Sequence, residues 1–134
     1  MLKYVIAYLA TGLVFALVDA VWLTWSNERL YRPTLNPVLA DEVNLKAAAV
    51  FYVVYILGIM ALVVSPATSW TKAMTTGAIL GAVCYATYDL TNQATLKVWS
   101  TKITLADITW GAFVTALAAT AGYLALRWAR AKFG

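Results

Sequence analysis

The chain has 134 residues, 63% of them hydrophobic and only 12% charged, with a formal net charge of +4. A soluble domain carries about 25% charged residues, so this composition points to a membrane protein that forms a single domain over residues 1–134. The basic residues sit at segment ends and form no stripe or recognition module, which excludes nucleic acid as a partner.

Tyr4 to Leu23 is an apolar run of about 30 Å as a helix, matching the hydrocarbon thickness. It is the first expected transmembrane helix, and Trp22 and Trp25 are its aromatic anchors. The apolar run is longer than a signal-peptide core, and three more follow, so a cleaved leader is the weaker reading. Ser26 to Asn44 reads as the one long loop, broken by Arg32-Pro33 and Asn36-Pro37, with a short interfacial helix expected over 37–42. Ala47 to Val64 is the second helix, with Tyr52 and Tyr55 on one face. After the Ser65–Ser69 turn, Ala73 to Leu90 is the third, where Gly77 and Gly81 form a small-xxx-small row for close packing. Asn92 to Lys102 reads as a polar hinge. Ile103 to Leu126 is the fourth helix, with Gly111 and Gly122 among its packing residues, and Arg127, Arg130 and Lys132 form a basic tail. The fold class is therefore all-α, an integral membrane bundle of four transmembrane helices.

Cys84 is the single cysteine, so no intrachain disulfide can form. Histidine is absent, which removes the commonest metal ligand and general base. No cofactor is expected. Four helices place both termini on one side of the membrane, and all six acidic residues fall on the other. The basic residues divide evenly, but the compact C-terminal cluster and the acid asymmetry favour cytoplasmic termini.

Three aspartates lie within or beside apolar runs, where a carboxylate costs about 2.5–3.5 kcal/mol on insertion scales and marks a candidate site. Asp19-Ala-Val-Trp22 is echoed by Asp107-Ile-Thr-Trp110. The two copies occupy the same side of the membrane, so the echo is weak evidence of duplication. Asp107 has a local explanation, because Thr104-Leu-Ala-Asp107 fits a capping box. Asp89 sits near an expected helix C-terminus, where the dipole disfavours it, and Lys97, Lys102 or Arg32 is its expected partner. Asp19 is neither a cap nor a terminal residue, and its bland reading is an inter-helix hydrogen bond to a tyrosine or threonine. With Tyr52, Tyr85, Tyr88, Asn92, Trp22 and Trp110, these acids make the acid-side half of the bundle the candidate ligand- or ion-binding site. The two tryptophans read first as interfacial anchors and secondarily as a cation-binding wall.

The stretch ending Asp19-Ala-Val-Trp22, the Tyr52 region, Tyr85-Ala-Thr-Tyr88-Asp89-Leu-Thr-Asn92 and Asp107-Ile-Thr-Trp110 together resemble a small bacterial predicted membrane protein family of unknown function. The resemblance spans nearly the whole chain. It implies four transmembrane helices in a bacterial inner membrane and carries no activity with it.

Two functions compete. The first is binding or transport of a proton, a cation or a cationic small molecule, with a homo-oligomer needed to enclose a pathway. The second is an accessory subunit docked through its glycine faces onto a larger membrane complex or lipid-processing system. An enzyme ranks last, since neither a nucleophile motif nor paired metal ligands are present.

Overall fold

A computed structural model describes residues 1–134, which form an all-helical membrane bundle of four long helices. They are α1 (Leu2–Ser26), α3 (Leu45–Ile59), α4 (Trp70–Thr95) and α5 (Thr101–Phe133), and the four-residue α2 (Arg32–Leu35) follows α1. Three of the long segments are apolar and long enough to cross a membrane, those starting at Leu2, Leu45 and Thr101. The remaining helix, α4, has 26 residues but a more polar composition, because glycines, tyrosines and an aspartate occupy it.

The helix starts are set by side-chain caps at three of the four. Asn44 Oδ1 accepts from the Ala47 N–H, Ser69 Oγ from Lys72 and Ser100 Oγ from Ile103, at 3.1, 3.1 and 3.2 Å. Each satisfies an amide that the helix itself leaves orphaned.

The packing follows from four-residue spacing. On α1 the buried positions are Ala7, Thr11, Phe15 and Asp19. Two residues further round, Leu9, Leu13, Leu17 and Val21 are 60–71% exposed. An apolar stripe that long is costly in water and suits lipid, so the outward face is as informative as the core. On α4 the buried positions are Ala73, Gly77, Gly81 and Asp89, again in register by fours. This face lies along α5, the central helix, which also packs along α1.

Glycine makes that approach possible. A Cβ on Gly81 would overlap the Gly111 carbonyl oxygen, and one on Gly111 would overlap the Tyr85 ring. A Cβ on Gly77 would stand 2.9 Å from the Ala119 Cβ, and Gly122 leaves room for the Thr11 hydroxyl. All four glycines therefore face neighbours inside the chain rather than an outer surface. The apolar core lies toward the termini side, around Phe15, Ile59, Val63, Val64, Val114 and Leu126. Phe15 stands edge-on to Tyr52 and Tyr55, with ring centroids 5.7 and 5.3 Å away.

Three local expectations differ from the structure. The segment after Ser26 is not an open loop: a π-helical turn over Asn27–Tyr31, α2 and a 3-10 turn over Asn36–Val38 carry the helix onward. Pro33 and Pro37 lie at the starts of α2 and the 3-10 turn, where a missing N–H costs nothing, so they punctuate without unwinding. The expected interfacial helix over 37–42 is reduced to that turn, followed by bends. The hinge before α5 is likewise short, because α4 continues to Thr95 and only 96–100 are non-helical.

Candidate functional site: an acid and aromatic cluster

The acid-side half of the bundle holds two hydrogen-bonded carboxylates and one without donors. Asp19, on α1, is 6% exposed and spans two helices. Its Oδ2 accepts from the Tyr52 hydroxyl of α3 at 2.7 Å, and its Oδ1 from Trp110 Nε1 of α5 at 3.0 Å. Both oxygens are satisfied. That is the inter-helix hydrogen-bond role, and it ties α1 to both α3 and α5.

Asp107, on α5, accepts at Oδ1 from the Tyr31 hydroxyl. Tyr31 in turn accepts from Trp22 Nε1 at 3.2 Å. The Trp22 and Trp110 rings stack at 4.7 Å with planes 6° apart, joining the Asp19 and Asp107 networks through their indoles. Both tryptophans are therefore turned inward and bonded to one another's networks, and neither is a plain interfacial anchor. The outward tryptophans are Trp25, Trp70 and Trp128, all about half exposed.

The capping explanation of Asp107 does not hold. Ser100 caps α5, so Asp107 lies in the second turn, beyond the third-residue position of a capping box. Thr104 is buried in a different bond set: its hydroxyl donates to Gln93 Oε1 at 2.7 Å and accepts from Trp99 Nε1 at 2.9 Å. This set clasps the α4–α5 connection.

Asp89, on α4, is the unusual member. It is 0% exposed, and neither carboxylate oxygen receives a hydrogen bond. The expected basic partners are absent. Arg32 pairs instead with Glu28 at 3.5 Å on the surface, and this is the only ion pair in the chain. Asp89 also lies more than a turn before the end of α4, so the helix end offers it no solvent. The acid in its surroundings is Asp107, across the closely packed α4–α5 face that Gly81, Tyr85 and Gly111 share. Two carboxyls thus stand together, and no other side chain donates to Asp89.

Around this pair stand the tyrosines. Tyr85, four residues before Asp89, lies under Gly111 and edge-on to Tyr55 at 6.3 Å. The Tyr55 hydroxyl is hydrogen-bonded to that of Thr115 at 2.7 Å. Tyr88 is exposed and stands edge-on to Trp99 at 6.0 Å. Asn92 is half-buried one turn beyond and bonds to none of the aspartates. A cavity of about 340 Å³ opens among Phe51, Tyr55, Cys84, Tyr85, Tyr88 and Asp107. No group of three or more acids and cysteines with metal-binding geometry is present.

The sequence pattern of a family described as a predicted membrane protein (DUF2177) matches residues 4–124. The chain belongs to that family. The matched span takes in all three aspartates, Tyr31 and the four packing glycines, so the cluster lies wholly within the family region. No curated protein and no solved structure matches the chain.

Sequence reasoning missed Tyr31, the donor to Asp107. It falls within the expected 26–44 loop, yet Glu28 and Arg32 stand at the i,i+4 spacing of a helical ion pair, a signal of the helix's continuation. The π-helical turn has no comparable signal. It shifts the register of the chain after α1 and brings Tyr31 to α5, a placement typical of such turns at functional positions.

Proposed function

We propose that this chain is a multi-pass protein of a bacterial inner membrane, with cytoplasmic termini, that binds and moves positive charge at the Asp89–Asp107 pair. The observation that carries the reading is Asp89: fully buried, without any donor, and facing a second carboxyl. A buried carboxyl with no partner costs stability, and intramembrane acids left in that condition commonly serve a proton or ion path. Two facing carboxyls need a positive charge between them, either a proton or a bound cation. Asp19 is a positioning residue in this reading. Its two bonds fix α1 and α3 against α5, and so hold the walls of the aromatic chamber. The basic C-terminal tail supports cytoplasmic termini, and Lys3 Nζ donating to the Gly134 carbonyl at 3.3 Å keeps both ends together. Four helices packed on one apolar core enclose little volume, so transport would use a homo-oligomer. Docking to a larger complex through the glycine faces has less support, since Gly77 and Gly81 are covered by α5, Gly111 by Tyr85 of α4 and Gly122 by Thr11 of α1.

Electrometry on proteoliposomes adsorbed to a solid support tests the proposal, using steps of pH, sodium, magnesium and tetramethylammonium. At least one step should displace charge in the wild type. Asp89→Asn should abolish that displacement, and Glu28→Gln, at the exposed ion pair, should leave it unchanged. Silence with all four, or equal signals from Asp89→Asn, would overturn it.

A further inference from the structure

The chamber beside the acid pair has a shape and a lining that select among positive charges. Its volume of about 340 Å³ falls at the lower end of small-molecule sites, far more than a bare ion needs. Four of its six lining residues are aromatic, Asp107 is its only charge, and no lysine or arginine lines it. Phe51 and Tyr55 stack at 5.4 Å with planes 19° apart, and Tyr55 meets Tyr85 edge-on, so ring faces and edges both border the space. Aromatic faces beside a carboxylate suit an alkylated ammonium group, whose charge is diffuse and whose methyls gain from apolar contact.

The opening is lateral. Helix α4 packs on the Met60–Val64 turn that ends the α3 segment but scarcely on α3 itself, so the two helices part toward the acid side. Phe51 on α3 and Tyr88 on α4 form the rim and are 44% and 58% exposed. Beyond them Val54 and Val83 face outward, where lipid would lie. Asp107 is the lining acid, and its neighbour Asp89 is buried without a hydrogen-bond partner and does not line the chamber.

We infer that the chamber takes a single-chain amphiphilic ammonium, entering from the lipid between α3 and α4. The ammonium head sits against Asp107 within the aromatic walls, and the alkyl chain leaves past Phe51 and Tyr88 along Val54 and Val83. This rests on the proposed reading that the acid pair binds positive charge, and it names the class of cation.

The test is equilibrium binding to the wild-type chain in nanodiscs of zwitterionic lipid, using radiolabelled decyltrimethylammonium. Unlabelled decyltrimethylammonium should compete, and decanol and decanoate should do so about tenfold or more weakly, because they lack the charge or carry the wrong one. Cys84→Phe, which fills the chamber and leaves both carboxyls in the chain, should weaken binding about tenfold or more, and Asp107→Asn should do the same. Equal competition by decanol or decanoate would overturn the inference, and so would unchanged binding in both variants. Tetramethylammonium separates this failure from that of the underlying proposal. If it binds and the decyl compound binds no tighter, the acid site stands and the lateral amphiphile site falls. If neither binds saturably, the amphiphile site falls, and the acid-pair proposal is decided by the pH, sodium and magnesium steps of the electrometry.

Discussion

Replacing Asp89 by asparagine should stabilise the fold. In the wild type the carboxyl is 0% exposed with both oxygens lacking donors, and it faces Asp107 across α4 and α5. A buried polar group left unpaired costs about 1–3 kcal/mol, and more when it is charged. Asparagine has nearly the same shape, removes the carboxyl–carboxyl conflict and adds two N–H donors that can be aimed at Asp107. A hydrogen bond to a charged acceptor contributes about 1.5–3 kcal/mol. Allowing for relief already supplied by a bound proton, the expected gain is about 2 kcal/mol, roughly thirtyfold in the unfolding equilibrium. The assay is unfolding in mixed micelles titrated with sodium dodecyl sulfate, followed by tryptophan fluorescence. A loss of about 1 kcal/mol or more would refute the reasoning, because it would show that Asp89 makes a favourable bond in the folded chain. A stabilising substitution that also removes charge movement would show that Asp89 is kept for function at the expense of stability.

The same assay reads the other predictions. Tyr31→Phe removes the donor to Asp107 and the acceptor for Trp22, and should cost about 2–4 kcal/mol. At Asp19, asparagine can keep both bonds, its oxygen toward Trp110 and its nitrogen toward the Tyr52 hydroxyl, because a tyrosine can also accept. Asp19→Asn should therefore cost about 1 kcal/mol, against about 3–5 kcal/mol for Asp19→Ala, which strands two donors. Equal costs would contradict that bonding scheme. Gly81→Ala should cost about 1–3 kcal/mol, since its methyl meets the Gly111 backbone, which has no side-chain freedom to yield. Gly58→Ala, with nothing within 4 Å of the added carbon, should instead be neutral or gain about 0.5–1 kcal/mol from helix propensity.

The helices were legible because lipid imposes a length and a composition on each span, and a run of apolar residues records both. Their ends were less so. The helix passes beyond Leu23 and Leu90 into polar residues that pack against neighbours, and hydropathy is blind to that. The three aspartates stood out as acids in or beside apolar runs, and their shared half of the bundle followed from counting crossings. Their individual characters did not. Asp107 had an acceptable cap in Thr104 on spacing alone, and only the start of α5 at Thr101 removes it. Asp89 had three cations within plausible chain distance, yet Arg32 is held by Glu28 on the surface. Asp19 looked the least explained in sequence and is the best satisfied in structure, since its donors come from residues 33 and 91 positions away. Long-range pairing of that kind leaves no local pattern to read.

A direct response of the Asp89–Asp107 pair to positive charge is the central claim. Infrared difference spectroscopy on the reconstituted chain, with aspartate carboxyls labelled by carbon-13, observes those groups themselves. Proton or tetramethylammonium addition should give a carboxyl band change that vanishes in Asp89→Asn and survives in Asp19→Asn. Spectra that stay flat, or a change that Asp89→Asn leaves intact, would contradict the account.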